Sequence, residues 1–218
     1  MKILLLGKNG QLGWELQRTL APLAELIALD RLGEQGLCGD LQNLDGLRKT
    51  IATLQPDIIV NAAAYTAVDK AEDEGKALDY AINVTGTENI AKATAAHNAT
   101  LVYISTDYVF DGLKPVGEEW EVDDLPDPQT EYGRTKRLGE ELVEKYADKF
   151  YIIRTAWVFG NYGANFVFTM QKLAETHAAL TVVNDQHGRP TWTRTLAEFM
   201  TYLTENQIEK FEKLEALY

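Results

Sequence analysis

The sequence predicts an α/β fold built on a doubly wound parallel sheet, and three observations carry that prediction. The unbroken apolar run Ile3 to Leu6 passes without a spacer into Gly7-Lys8-Asn9-Gly10-Gln11-Leu12-Gly13 and then into the helix-compatible Trp14-Glu15-Leu16-Gln17-Arg18. That is the pattern of a buried parallel strand, a glycine turn and a helix start. Short apolar runs then recur in alternation with stretches of helical spacing. Several of those runs end in small or hydrogen-bonding residues, Asp30, Asn61 and Ser105-Thr106-Asp107, where a parallel sheet presents its carboxyl ends to a ligand.

The elements follow in order. Glu25 to Asp30 reads as a second strand ending in an acid, and Leu44 to Leu54 has helical spacing. Pro56-Asp57 introduces a third strand, Ile58 to Val60, and Glu72 to His97 reads as one long helical stretch with Asn83 in its middle. A polar side chain inside a helix needs either solvent or a role against the sheet. Thr100 to Ile104 is a fourth strand, followed by a Gly-, Pro- and acid-rich loop from Asp111 to Gln129. Tyr132-Gly133-Arg134-Thr135-Lys136 leads into a helix over Leu138 to Tyr146. Tyr151 to Ile153 is a fifth strand, Phe166 to His177 a helix, and Leu180 to Val183 a sixth strand completing the sheet. Leu196 to Leu203 is helical by pattern, and Glu205 to Tyr218 reads as an amphipathic helix with Ile208, Phe211, Leu214 and Leu217 near one face.

At 218 residues the chain suits one α/β domain with a small appendage. A net charge of -12 argues against nucleic acid and anionic membrane as partners, so phosphate must be met locally. Cys38 is the sole cysteine, which excludes a disulfide within the chain and points to a reducing cytoplasmic setting. No run approaches a membrane span, and the apolar start is too short for a signal peptide. His97, His177 and His187 lack metal-ligand spacing, so no metal site is expected.

The glycine turn reads as a nucleotide site, because glycines let a pyrophosphate approach backbone N–H groups at the positive end of a helix. Its spacing, G-x-x-G-x-x-G, matches the dinucleotide fingerprint only in part, and tight strand-to-helix packing is the alternative; no Gly-Lys-Ser/Thr closes a P-loop. Asp30, about 20 residues further on, suits the ribose hydroxyls, while Arg31 beside it suits a 2′-phosphate, so NADH and NADPH both stay open. Ala64-Tyr65-Thr66 continues a small-residue run that admits a flat ligand. Ser105 or Thr106 can hydrogen-bond a substrate oxygen, and Ser105, the only serine, lies in no G-x-S-x-G. Tyr132 and Lys136, four apart, fall on one helix face, where a fixed cation would lower the phenol's pKa and make a tunable proton donor; taken alone, the spacing fits an exposed tyrosine near a solvated lysine better.

Together these features resemble the extended short-chain dehydrogenases/reductases, through Gly7-x-x-Gly10-x-x-Gly13, Asn83-Val84-x-Gly86-Thr87 and Tyr132-x-x-x-Lys136. Within them the chain is similar to the dTDP-4-dehydrorhamnose reductases. That closer likeness rests on Gly7 to Gln17, Asn61 to Asp69, Ser105 to Gly112, Arg154 to Gly160 and Asn184 to Thr191. The resemblance implies a Rossmann-like domain over residues 1–195 that reduces the C4 ketone of a dTDP-sugar. It implies that Tyr132 protonates the sugar oxygen, that Lys136 holds the nicotinamide ribose, and that Thr106 and Asp107 orient the substrate with Trp157 lining its pocket. It further implies cofactor contacts from Gln11, Leu12, Gly13, Asp30, Asp40, Leu41, Ala64, Tyr65 and Thr66.

The family continues past Pro190-Thr191-Trp192 into a substrate lobe, whereas residues 196–218 read as a helical tail in its place. Weakened turnover is therefore expected, and apolar surface left uncovered would favour a homodimer. The rival readings are a non-catalytic NAD(P)-binding regulatory or scaffold protein of the same fold, and an epimerase or dehydratase. The latter commonly need an Asp-Glu pair, where this chain has Asp107-Tyr108.

Overall fold

The first strand shows why the chain folds as it does. In the computed structural model, which describes residues 1–206, β1 (Lys2–Leu6) has Ile3, Leu4, Leu5 and Leu6 all fully buried. A strand covered on both faces must be apolar at every position, and each such side chain contributes about 1.5–3 kcal/mol of burial. Helix α1 (Gln11–Leu20) follows through the glycine turn, then β2 (Glu25–Leu29), α2 (Leu44–Leu54) and β3 (Ile58–Asn61). The chain continues through two short helices, α3 (Val68–Ala71) and α4 (Lys76–Asp79), a π-helix (Tyr80–Gly86), and α5 (Thr87–Ala96). Then come β4 (Thr100–Thr106), a 3₁₀ turn (Asp107–Val109), α6 (Glu131–Tyr146), β5 (Phe150–Thr155) and β6 (Val158–Phe159). The last elements are α7 (Phe166–Thr176), β7 (Thr191–Trp192) and α8 (Thr193–Asn206).

Five strands form one parallel sheet in the order β2-β1-β3-β4-β5, with Leu5 opposite Val60 and Thr106 opposite Thr155. Strands β6 and β7 pair separately. Alternate residues of β1 feed two cores. Leu4 and Leu6 pack with Leu47, Ile51, Ile90 and Val143, on the α2, α5 and α6 side. Ile3 and Leu5 pack with Leu12, Leu16, Leu196 and Met200, on the α1 and α8 side. Leu196, Ala197 and Met200, placed by sequence in a tail beyond residue 195, thus belong to the same core as β1, and Leu203 is buried as well. The rest of the expected amphipathic tail, from residue 207 onward, lies outside the described residues.

Two expectations need correction. Glu72 to His97 is not helical throughout: residues 72–75 form turns, and from Lys76 to Ala96 α4, a π-helix and α5 run on as one helical stretch. Leu180 to Val183 forms no strand. Leu180, Val182 and Val183 are exposed, and the sheet ends at β5. A short apolar run satisfies strand periodicity without supplying a partner, and pairing decides the outcome.

Candidate active site

The chain turns one way from β1 to β2 and the other way from β3 to β5, so the carboxyl ends of β1 and β3 flank a crevice of the kind that binds dinucleotides. Gly7 stands there with φ of +86°, and a Cβ on it would lie 2.7 Å from the Ala63 nitrogen. A Cβ on Gly13 would lie 2.1 Å from the Gly7 oxygen. Only glycine closes this turn, which brings Gly7 against the Ala62–Ala63 backbone and the first turn of α1 against Gly7. Gly10 caps α1 without a side-chain hydrogen bond, leaving the first N–H groups of the helix, at Gln11, Leu12 and Gly13, to an anion. The Gln11 Oε1 is buried without a partner, and Gly163 approaches the same side chain. Tyr162, from that loop, stacks on Trp14 at 5.1 Å between ring centroids. The glycine cradle and the open N–H groups at the start of α1 fit a pyrophosphate-bearing cofactor.

Asp30 lies just past β2, where its carboxylate accepts from the Asn9 amide and from the Leu32 N–H at 3.0 Å. Exposed Arg31 borders a shallow pocket of about 520 Å³ formed by residues 31–38 with Asp40 and Asn43. Asp40 accepts from the Gln42 N–H at 3.0 Å, and Leu41 is buried against Gly86, where a Cβ would sit 2.8 Å from the Leu41 Cβ. Ala64 and Tyr65 are half-buried and Thr66 exposed in the turn after β3. Asn83 is not at the surface: it is buried, its Oδ1 accepts from the Tyr65 N–H at 3.0 Å, and its Nδ2 donates to the Tyr65 carbonyl at 3.1 Å. The motif's Asn83 and Gly86 therefore hold the two loops that border the crevice.

Helix α6 supplies the titratable pair. Thr130 caps it by accepting from the Gly133 N–H at 3.0 Å, and Glu72 accepts from the Glu131 N–H at 2.7 Å. Tyr132 and Lys136 share the helix's buried face. The geometry differs from the expected cation beside a phenol. Lys136 donates to the Ile104 carbonyl at 2.7 Å and lies over the Tyr103 ring at 4.2 Å, and burial pushes its ammonium down to about 7. Burial pushes the Tyr132 phenol up to about 12 against the Thr106 hydroxyl, with the Asp107 and Asp79 charges adding to the rise. Desolvation outweighs the Thr106 hydrogen bond, so Tyr132 holds its proton at neutral pH.

Thr106 ends β4, donating to the Asp107 Oδ1 at 3.1 Å and accepting from the Tyr108 N–H at 3.2 Å. Burial raises the Asp107 carboxyl. Tyr108 meets Tyr132 edge-on at 5.7 Å. Ser105 pairs in register with Arg154 of β5. Trp157, two residues beyond β5, is exposed, with φ of +45° and Gly188 against its indole. A left-handed tryptophan is a strained conformation, and strain of this kind clusters at functional sites.

Sequence reasoning missed the polar groups behind the site. Fully buried Glu140 accepts from Arg154 at 2.9 and 2.8 Å and from Arg137 at 2.9 Å. Burial acts to raise its carboxyl, but Arg154, Ser105 and Arg137 together outweigh it and hold the group below its ordinary value. Asp79 is fully buried as well, four residues before Asn83, and that spacing of two polar residues in a helical stretch is a signal that was available. Among the described residues no cluster of His, Cys, Asp and Glu could hold a metal, and no helix is long and apolar enough to cross a membrane.

Comparison with known proteins adds the following. Residues 1–218 match the family described as RmlD substrate binding domain. The dTDP-4-dehydrorhamnose reductase of Salmonella typhimurium is 45% identical over 212 residues, covering 97% of this chain and 70% of that protein. The enzyme of the same name from Escherichia coli is 48% identical over 198 residues, covering 91% of this chain and 65% of its own length. The crystal structure of the Bacillus anthracis dTDP-4-dehydrorhamnose reductase in complex with NADP superposes with a TM-score of 0.88 at 37% identity, covering 96% of this chain and 72% of that one. The chain thus spans about two thirds of the length of these relatives.

Proposed function

Because the chain belongs to the dTDP-4-dehydrorhamnose reductase family, we propose that it reduces the C4 ketone of dTDP-4-dehydro-L-rhamnose to the alcohol of dTDP-L-rhamnose. The observation that carries this reading is the buried Tyr132 phenol, which keeps its proton at neutral pH beside Thr106. A reduced nicotinamide cofactor, when bound, supplies the hydride that adds to C4. The chain supplies the proton and the positioning. Tyr132 gives its phenolic proton to the C4 oxygen as negative charge develops there; a phenol pushed up to about 12 is still a stronger acid than the sugar alcohol, so the transfer runs downhill. Thr106 would hold the oxygen by turning its single hydroxyl proton onto it from the Asp107 Oδ1, to which the hydroxyl donates in this structure. Lys136 offers its ammonium to ribose hydroxyls from the Ile104 carbonyl, and Trp157 forms a wall of the sugar pocket.

On the cofactor side, Gln11, Leu12 and Gly13 present N–H groups to the pyrophosphate, and Asp30 with Asp40 and Leu41 borders the adenosine end. Arg31, exposed beside Asp30, suits the 2′-phosphate and favours NADPH over NADH. The relative crystallised with NADP supports the same choice.

The test is the loss of reduced-nicotinamide absorbance when the purified chain meets dTDP-4-dehydro-L-rhamnose. Oxidation is expected with both cofactors and with a higher kcat/KM for NADPH. No oxidation at saturating reactants would overturn the reductase reading and favour a cofactor-binding scaffold.

A further inference from the structure

Asp79 is a fully buried carboxylate to which the reaction assigns no task. An ionisable group taken out of water costs free energy that its partners only offset, and an apolar residue of similar volume would pack there without that cost. Its retention therefore needs a reason other than bulk stability. Both of its oxygens are used. Oδ1 accepts from the Asn83 Nδ2 at 2.6 Å, and Oδ2 accepts from the Thr135 hydroxyl at 2.8 Å. Asn83 in turn grips the Tyr65 N–H and carbonyl. The Thr135 hydroxyl also reaches the Tyr132 carbonyl at 3.0 Å, one residue before Lys136. A continuous hydrogen-bonded path thus runs from the turn after β3 to the turn of α6 that carries the proton donor.

We propose that Asp79 is a positioning residue, bridging the Ala64 to Thr66 turn through Asn83 to the Tyr132 to Lys136 turn of α6 and so fixing their separation. The inference rests on the reductase reading, since the two turns would carry the cofactor and the proton donor. It makes a distinction between hydrogen bonding and charge. An asparagine at 79 can accept from Asn83 through its oxygen and donate to the Thr135 oxygen through its nitrogen, whereas alanine breaks the path in the middle.

The experiment compares Asp79→Asn, Asp79→Ala, Thr135→Val and the Asp79→Ala/Thr135→Val double variant with the parent chain, in turnover, NADPH binding and amide hydrogen exchange. Misplacement of reacting groups lowers kcat rather than ground-state affinity, so Asp79→Ala should lose about 10- to 100-fold in kcat per folded molecule with NADPH Kd changed by less than about threefold. Asp79→Asn should recover most of that loss. The double variant should be no worse than Asp79→Ala, because both changes cut one path. Exchange at Tyr65 and in the first turns of α6 should quicken together in Asp79→Ala. A kcat within about twofold of the parent, multiplying effects of the two single changes, or Asp79→Asn as impaired as Asp79→Ala would overturn the bridge. If Asp79→Ala does not fold, Thr135→Val decides: a lowered kcat supports the bridge and an unchanged one overturns it. Should the parent itself fail to turn over, the reductase reading falls, while the exchange measurement still decides the bridge: joint quickening supports it, and protection unchanged at either turn overturns it.

Discussion

Lys136 has given up most of a lysine's usual solvation to reach the Ile104 carbonyl, and the cost appears in its pKa, pushed from an ordinary 10.5 down to about 7 by burial. The sign of the stability effect follows from the protons. Between pH about 7 and 10.5 the unfolded chain holds a proton that the folded chain releases, so stability rises with pH across that window. Lys136→Met should therefore raise the thermal midpoint at pH 7 and flatten the rise toward pH 10.5. Thermal unfolding of both proteins across that range measures it. An unchanged pH slope would show that Lys136 keeps an ordinary pKa in the fold. The spacing of Tyr132 and Lys136 was enough to find the pair and its shared face, because a helix fixes the positions of residues four apart. It was not enough to find the phenol's pKa direction, which depends on how deeply the surrounding loops bury it. Asp40 and Leu41 carried no residue-level signal of their own, since their placement depends on Gly86, far off in sequence.

Helix α6 is held at its start by two different hydrogen bonds, one from the local cap Thr130 and one from distant Glu72. The cap is legible as a threonine just before a helical run; the tether is not, because 59 residues separate its ends. Removing the cap hydroxyl leaves the Gly133 N–H without its acceptor, so Thr130→Ala should cost about 1 kcal/mol in urea unfolding. A loss below about 0.3 kcal/mol would mean that water or Glu72 replaces the cap. The π-helix is the feature that periodicity could not show. Asn83 needs either solvent or a role against the sheet by sequence; it is buried inside the π segment and paired with the Tyr65 backbone. Periodicity arguments assume a fixed number of residues per turn, and a π segment breaks that assumption without leaving a mark in composition. The Leu180 to Val183 run failed for a different reason, because strand formation requires a neighbour that local sequence cannot supply.

Across the whole molecule, the proposed function asks an acidic chain with a net charge of -12 to bind an anionic cofactor and an anionic sugar nucleotide. It would do so with local devices: the uncapped start of α1, the exposed Arg31, and hydroxyls at the ends of parallel strands. The parallel order β2-β1-β3-β4-β5 brings Gly7, Asn61 and Thr106 to one end of the sheet although about a hundred residues separate the first from the last. That convergence was readable from apolar runs ending in polar residues, since the architecture admits few other arrangements. The supporting carboxylate Glu140 was not, because a buried acid and a surface acid look alike until packing is known, and Asp79 offered only its four-residue spacing from Asn83. The central claim is that Tyr132 delivers the proton, and its most direct test is Tyr132→Phe in a single-turnover assay with saturating NADPH and dTDP-4-dehydro-L-rhamnose. Loss of the phenolic proton should slow turnover by about 10²- to 10⁴-fold with NADPH binding retained. A Tyr132→Phe chain that turns over within about tenfold of the parent would contradict the account and move the proton donor elsewhere.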